Sequence, residues 1–276
     1  MPITPVLDHV VINVRDGLDA AAALYARLGF TLTPRGHHTL GSSNNLAILG
    51  TDYLELLGVQ PGNARTDVLD WPAGLNGLVF KTYDADATYR GLHAAGVPVL
   101  PVQAFSRPVD TPTGPQDAAF RTVRMDRNAT PAGRVFFCQH LTPGLVWDDA
   151  WRSHANGALG IQRFIMAAAD PAEAAVLFRG MFGADSVAVR DSGATMPAGL
   201  AQVDILTPAA LLGDLGDAAP AADGRRQWMA ALVLRTASLD RTAAALRAGG
   251  VDHRLASGRI LVPSSVLGGM ALVFQA

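Results

Sequence analysis

His9 stands inside the apolar run Leu7-Asp8-His9-Val10-Val11-Ile12, and Glu55 inside Tyr53-Leu54-Glu55-Leu56-Leu57. An imidazole and a carboxylate placed among such residues are costly to bury without partners. They can form a hydrogen-bonded pair, work as an acid-base pair, or ligate a divalent cation such as zinc, iron, manganese or nickel. Successive side chains in a strand alternate faces, so Glu55 points away from Leu54 and Leu56. If those leucines pack on helices, Glu55 faces a concave side.

Two further clusters carry binding groups. Gly36-His37-His38-Thr39-Leu40-Gly41-Ser42-Ser43-Asn44-Asn45 offers two imidazoles, two serine hydroxyls and two amides between strands. His37, His38, Asn44 and Asn45 are the candidate substrate contacts, with His38 also a candidate catalytic group. Phe136-Phe137-Cys138-Gln139-His140 puts Cys138 and His140 on one strand face and Gln139 on the other. His140 is a candidate third metal ligand; Cys138 and Gln139 are candidate substrate contacts. Neighbours on one face rarely make an activated Cys-His nucleophile, so that chemistry is not expected. His93 and His253 read as surface residues, and His154 and Asn156 as structural groups of a connector. A glycine-rich phosphate loop, a serine nucleophile elbow and HExxH are all absent, so no nucleotide cofactor is expected.

The elements that must position these residues repeat. Four amphipathic segments open at Asp16, Asp84, Asp170 and Ser238 and close at glycine, the start and stop chemistry of helices. The first two openings are 68 residues apart, and so are the last two. Short β-branched and aromatic runs precede each helix, and further strand candidates follow it. The unit reads β-α-β-β-β. The expected class is α+β: four modules arranged as two paired, cupped mixed sheets with helices outside. The expected division is residues 1–147, holding the candidate site, and residues 148–276. Residues 108–133 read as an insertion or lid, and residues 211–224 as a surface loop.

Composition narrows the function. The chain has 276 residues, 49% hydrophobic and 17% charged, which supports a large core. A net charge of -2 argues against nucleic-acid binding. One cysteine excludes a disulfide framework. The opening Met1-Pro2-Ile3-Thr4-Pro5-Val6 lacks a basic, then apolar, leader, and no run approaches the roughly 20 apolar residues of a membrane span. The expected setting is cytoplasmic, without a membrane partner.

Leu7-Asp8-His9-Val10-Val11-Ile12, a helix ending Leu28-Gly29-Phe30, and Asp52-Tyr53-Leu54-Glu55-Leu56-Leu57-Gly58 resemble the vicinal-oxygen-chelate superfamily, in its glyoxalase-like branch. His38 to Leu46 and Phe137 to Pro143 are similar to that branch too. The resemblance implies a cupped sheet around a divalent metal that chelates adjacent oxygens of a substrate. It implies His9 and Glu55 as ligands, with His140 or His38 completing the set. The chain departs from the pattern where Gly77 stands 68 residues beyond His9, so the second module lacks its usual ligand. It departs again where Arg163 and Asp204 occupy the equivalent places of the second half, an ion pair instead of a metal site. The second half therefore reads as degenerate. The implied function is glyoxalase- or dioxygenase-like action on a small oxygenated metabolite. The alternatives are a metal-free acid-base lyase or isomerase, and a metal-free protein that binds or sequesters a small molecule. The only other partner implied is a second copy, as a homodimer.

Overall fold

The computed structural model describes residues 3–60, 62–63 and 65–276; Met1 and Pro2 of the opening segment lie outside them. Each module follows the expected order. The first comprises β1 (Leu7–Arg15), α1 (Leu18–Arg27), β2 (Gly36–His37), β3 (Ser42–Ile48) and β4 (Tyr53–Val59). After a short α2 (Thr66–Leu69), the second comprises β5 (Gly74–Lys81), α3 (Ala85–Ala94), β6 (Gln103–Thr111), β7 (Gly114–Arg124) and β8 (Arg134–His140). The third comprises β9 (Ala158–Ala168), α4 (Pro171–Phe182), β10 (Ala188–Arg190), β11 (Gly193–Ala198) and β12 (Ala201–Leu206), followed by α5 (Pro208–Leu215). The fourth comprises β13 (Gln227–Thr236), α6 (Leu239–Ala248), β14 (Arg254–Ala256), β15 (Arg259–Val262), α7 (Ser264–Leu267) and β16 (Ala271–Gln275).

Two eight-stranded mixed sheets result, with orders β2-β3-β4-β1-β5-β8-β7-β6 and β10-β11-β12-β9-β13-β16-β15-β14. In each, the first strands of the two modules pair antiparallel at the centre, β1 with β5 and β9 with β13. The first sheet curls until its ends meet. Ser106 of β6 accepts a hydrogen bond from the Thr39 amide at 2.9 Å, beside β2, and its own amide donates to the Thr39 hydroxyl at 3.2 Å.

Helix capping follows the sequence signals at three of four openings. The side chains of Asp84, Asp170 and Ser238 accept hydrogen bonds from first-turn amides. The first opening differs: Gly17, not Asp16, occupies the N-cap of α1, and no side chain caps it. Each sheet keeps its two module helices, α1 and α3 or α4 and α6, on the convex side, outside the cup. The two convex sides face each other, and one continuous core fills the space between. Tyr25 and Phe30 of the first module meet Met270 and Phe274 of the fourth, while Phe182 of α4 packs on Phe80 and Phe137. His154 and Asn156 pin this junction. His154 accepts from the Thr31 amide at 3.0 Å and donates to the Ile48 carbonyl at 2.8 Å, and the Asn156 amide donates to Leu28 at 3.0 Å.

Two expectations are corrected. Residues 108–133 are no lid: β6 and β7 form a hairpin that extends the first sheet and closes its cup. Strand pairing here outweighs the Pro- and Gly-rich composition, because Pro108 and Pro115 sit where the outer strand and the hairpin end tolerate them. Residues 211–224 are no simple surface loop. They begin inside α5, which Pro208 starts and the Thr207 side chain caps. Leu211 and Leu215, four residues apart, enter the second cup with Ala218 and pack on Ile165, Trp228 and Val233. The second cup is therefore plugged. Its polar residues balance internally: Arg163 pairs with Asp204 at 2.6 Å and with Asp214 at 3.0 Å, and Arg259 pairs with Asp214 at 2.8 Å. Among the described residues no helix is long and apolar enough to cross a membrane.

Leu215 is fully buried in this plug. Leu215→Ala is expected to lower unfolding free energy by about 2–5 kcal/mol in denaturant titrations. A loss within about 0.5 kcal/mol, the range of surface substitutions, would mean that the helix does not hold the second cup.

Candidate functional site

The cup of the first sheet encloses a cavity of about 290 Å³. Strand alternation aims His9 and Val11 of β1, Tyr53, Glu55 and Leu57 of β4, and Phe136 and Cys138 of β8 into it, as the leucines flanking Glu55 go to the intersheet core. A β-bulge modifies that rule. Leu7 lies opposite Phe80 and His9 opposite Val79, so Asp8 is the extra residue. Leu7 and Val10 both pack in the intersheet core. Asp8 and His9 therefore share the cup side, which strict alternation from the sequence forbids.

Asp8 is fully buried. Its Oδ2 accepts from His9 Nδ1 at 2.7 Å and from His140 Nε2 at 2.9 Å, and Lys81 Nζ lies 3.7 Å from Oδ1. Burial opposes the charge, but the two imidazole hydrogen bonds more than offset it and hold the carboxyl far below its ordinary value. Asp8 thus fixes the proton of His9 on Nδ1 and turns Nε2 forward, 3.7 Å from Glu55 Oε2. The Tyr53 ring stacks on His9 at 4.3 Å and holds its plane. Asp8, His9 and His140 also present three ligand-type atoms within 4.8 Å of one another.

Glu55 is set from the other side. The Asn44 amide donates to Glu55 Oε1 at 2.6 Å and to His38 Nε2 at 3.2 Å. With Nε2 accepting, His38 carries its proton on Nδ1 and donates to Ser42 Oγ at 2.9 Å. Burial, with the Arg107 and Arg65 charges, pulls the His38 pKa down to about 4 against the opposing pull of Glu55. Burial likewise opposes the Glu55 charge, yet His9, His38, the Asn44 amide and Arg134 bring it below the usual carboxylate range. A neutral His38, an ionised Glu55 and an oriented His9 nitrogen thus face one space.

The structure separates the expected residues into those that meet and those that do not. His9, His38, Asn44, Glu55 and Cys138 line the cavity. The Cys138 thiol is pushed well up by burial and by Asp8, so it is no nucleophile. His140 turns its Nε2 to Asp8 and not toward Glu55. Gln139 faces the convex side, accepting from the Ala85 amide at 3.0 Å and donating to Tyr83 at 2.8 Å. Asn45 also turns away, tying the Thr33 carbonyl at 3.0 Å, and exposed His37 bonds Ser43 at 2.8 Å. Gly77 has a spatial cause: a Cβ there would lie 2.5 Å from the Cβ of Val11, its partner across the strands, so a ligand side chain is crowded out at the second-module position equivalent to His9. Residues that the sequence reading passed over include Asp8, hidden by the bulge, and the cup-facing Arg107 and Arg134. Alternation of Phe105 with Arg107 and of Arg134 with Phe136 was the available signal.

The family model for the Glyoxalase-like domain matches residues 7–182. The chain belongs to this family, within the vicinal-oxygen-chelate superfamily. The match runs through the first sheet to the end of α4, whose Phe182 packs on that sheet. No curated protein matches the sequence. Among solved structures, a hypothetical protein from Staphylococcus aureus superposes with a TM-score of 0.68 at 12% identity, over 98% of both chains. A xylose isomerase-like TIM barrel/4-hydroxyphenylpyruvate dioxygenase fusion protein superposes at 0.59 and 14% identity, over 99% of this chain and 49% of that one. A triple variant of 4-hydroxymandelate synthase from Streptomyces coelicolor gives 0.58 and 14%, over 99% and 92%. At these identities the likenesses are likenesses of fold.

The depressed His38 pKa gives a direct check. A group whose neutral form is favoured in the fold contributes stability above its unfolded pKa, lost as pH falls from about 6.5 toward about 4. The ring resonances of His38 are expected to stay unmoved in NMR titration between about pH 5.5 and 8. A midpoint near the ordinary histidine value of about 6.5 would contradict the assignment.

Proposed function

We propose that the first cup is an active site for a small oxygenated molecule and that Glu55 and His9 are its working groups. The observation that carries this is the His9 Nε2, fixed from behind by Asp8 and set 3.7 Å from a buried, ionised carboxylate. Residues 1–147 then form the working half, and residues 148–276 the supporting half.

The donor set suits a divalent cation. An imidazole whose other nitrogen is tied to a carboxylate, facing a second carboxylate, is the usual first and second shell of such an ion. His9 Nε2 and Glu55 would hold it, with His38 beside them, and it would supply Lewis-acid polarisation of substrate oxygens. The chain's own groups do the rest. Glu55, ionised and held in place, would be the group positioned to take up a proton from a substrate carbon. Asn44 holds that carboxylate and donates to His38 Nε2. Tyr53 and Phe136 hold the His9 plane. The apolar wall excludes water from the charge that develops.

The rival reading is a binding protein of the same fold. The crowding of Gly77 against Val11 favours it, because the second module gives no ligand side chain there.

Elemental analysis of protein purified without chelator or a metal-binding tag separates the two. The working-site reading expects near-stoichiometric divalent metal, lost in a His9→Ala, Glu55→Ala double variant. It also expects Glu55→Gln to lower turnover in a substrate screen by roughly 10²–10⁴-fold. No metal, and none taken up from a panel of divalent ions, favours the binding protein or a metal-free acid-base enzyme, which the Glu55→Gln turnover then separates.

A further inference from the structure

The first cup carries more positive charge than its own carboxylates balance. Five arginines and three carboxylates line the cavity. Arg65 is bound to Asp67, and Arg127 pairs with Asp70 while stacking on Trp71 at 4.6 Å. Among the described residues Arg134 donates only to Asn76, at 3.1 Å and 3.4 Å. Arg107 and Arg124 make no side-chain hydrogen bond or ion pair with any described residue, and the Nε of each is buried without a partner.

Arg107 is the anomaly, because it is only 5% exposed. A guanidinium does not shed its proton, so a buried one without a counter-charge costs stability. Its place is nonetheless kept open. A Cβ on Gly36 would lie 2.5 Å from Asn44 Oδ1, 2.7 Å from Arg107 Cδ and 3.1 Å from its NH1 nitrogen, so the glycine makes room for both side chains. Gly36 lies in β2, at the seam where β6 closes the cup, and has no positive φ to require glycine. The missing side chain leaves room for the guanidinium. Two residues before Arg107 on the same strand face, Phe105 stacks on Phe120 with ring centroids 5.1 Å apart. A cation without a partner thus sits at the edge of an aromatic wall, and the His38 ring packs on the same wall, 5.2 Å from Phe105.

Resting on the reading of this cup as the working site, we propose that its ligand is an organic anion, a carboxylate held by Arg107 on a planar apolar body lying along Phe105 and Phe120. The planar fork of a guanidinium matches a carboxylate with two parallel hydrogen bonds. Arg124 and Arg134 add a field that draws an anion inward. A tetrahedral phosphate needs several donors converging on one point, and phenyl rings beside the Arg107 fork do not provide them. A neutral aldehyde or alcohol would leave Arg107 unpaired in the bound state as well.

Calorimetric titration with phenylacetate, its neutral analogue phenylacetamide, and inorganic phosphate tests this. Wild type is expected to prefer phenylacetate over the amide by roughly ten- to hundred-fold. Arg107→Met should lose that preference without losing thermal stability, since an unpaired buried charge is removed. Arg107→Lys should recover it in part. Arg90→Met, on the exposed face of α3, should change nothing. If Arg107→Met does not fold, Arg107→Lys and Arg107→Gln carry the test. Equal affinity for the amide, or undiminished phenylacetate binding in those variants, overturns the anion while leaving the cup as a site. Phosphate binding more tightly than phenylacetate overturns the carboxylate. No anion binding to folded wild type overturns the proposal, and the metal analysis of His9 and Glu55 then judges the cup separately.

Discussion

A buried carboxylate organises the first cup. Asp8 has no solvent contact, so its charge must be answered by the protein, and two imidazoles and a lysine answer it. That requirement fixes the orientation of His9, and with it the direction of the nitrogen that meets Glu55. The bulge in β1 is what makes the arrangement reachable. It brings two consecutive residues to one face at the centre of the sheet, where neighbouring strands hold both firmly.

The two halves share a strand order and spend it differently. In the second cup every large space is taken by α5 and its leucines, and the arginines there close on aspartates. In the first cup the same space is left open and lined by aromatic rings, and part of its positive charge is left without a counter-ion. The apolar plug contributes stability and fills the second cup, whereas the first cup keeps the concave, partly polar lining typical of small-molecule sites. The convex sides, packed into one core, let the plugged half brace the open one.

Much of this was legible in the sequence, for identifiable reasons. The 68-residue spacing and the capping residues gave the modules, because caps act locally. The position of Glu55 followed from strand period alone. The Arg163–Asp204 ion pair of the second half followed from residue types whose charges can only pair. What stayed hidden depends on long-range geometry. A bulge shifts facing by one residue, so Asp8 looked like a residue of the opposite face. The route of α5 into the second cup depends on packing that a composition of alanine, glycine and aspartate disguises. The facing of Gln139 and Asn45 was open until the sheets were assembled.

Anomalous X-ray diffraction from crystals grown with a divalent cation tests the central claim, that His9 and Glu55 form one working centre, most directly. The account predicts a peak in the first cup between His9 Nε2 and the Glu55 carboxylate, and none in the plugged second cup. A cation held by Asp8 and His140 with Glu55 uninvolved, or no peak in the first cup at saturating metal, would contradict it.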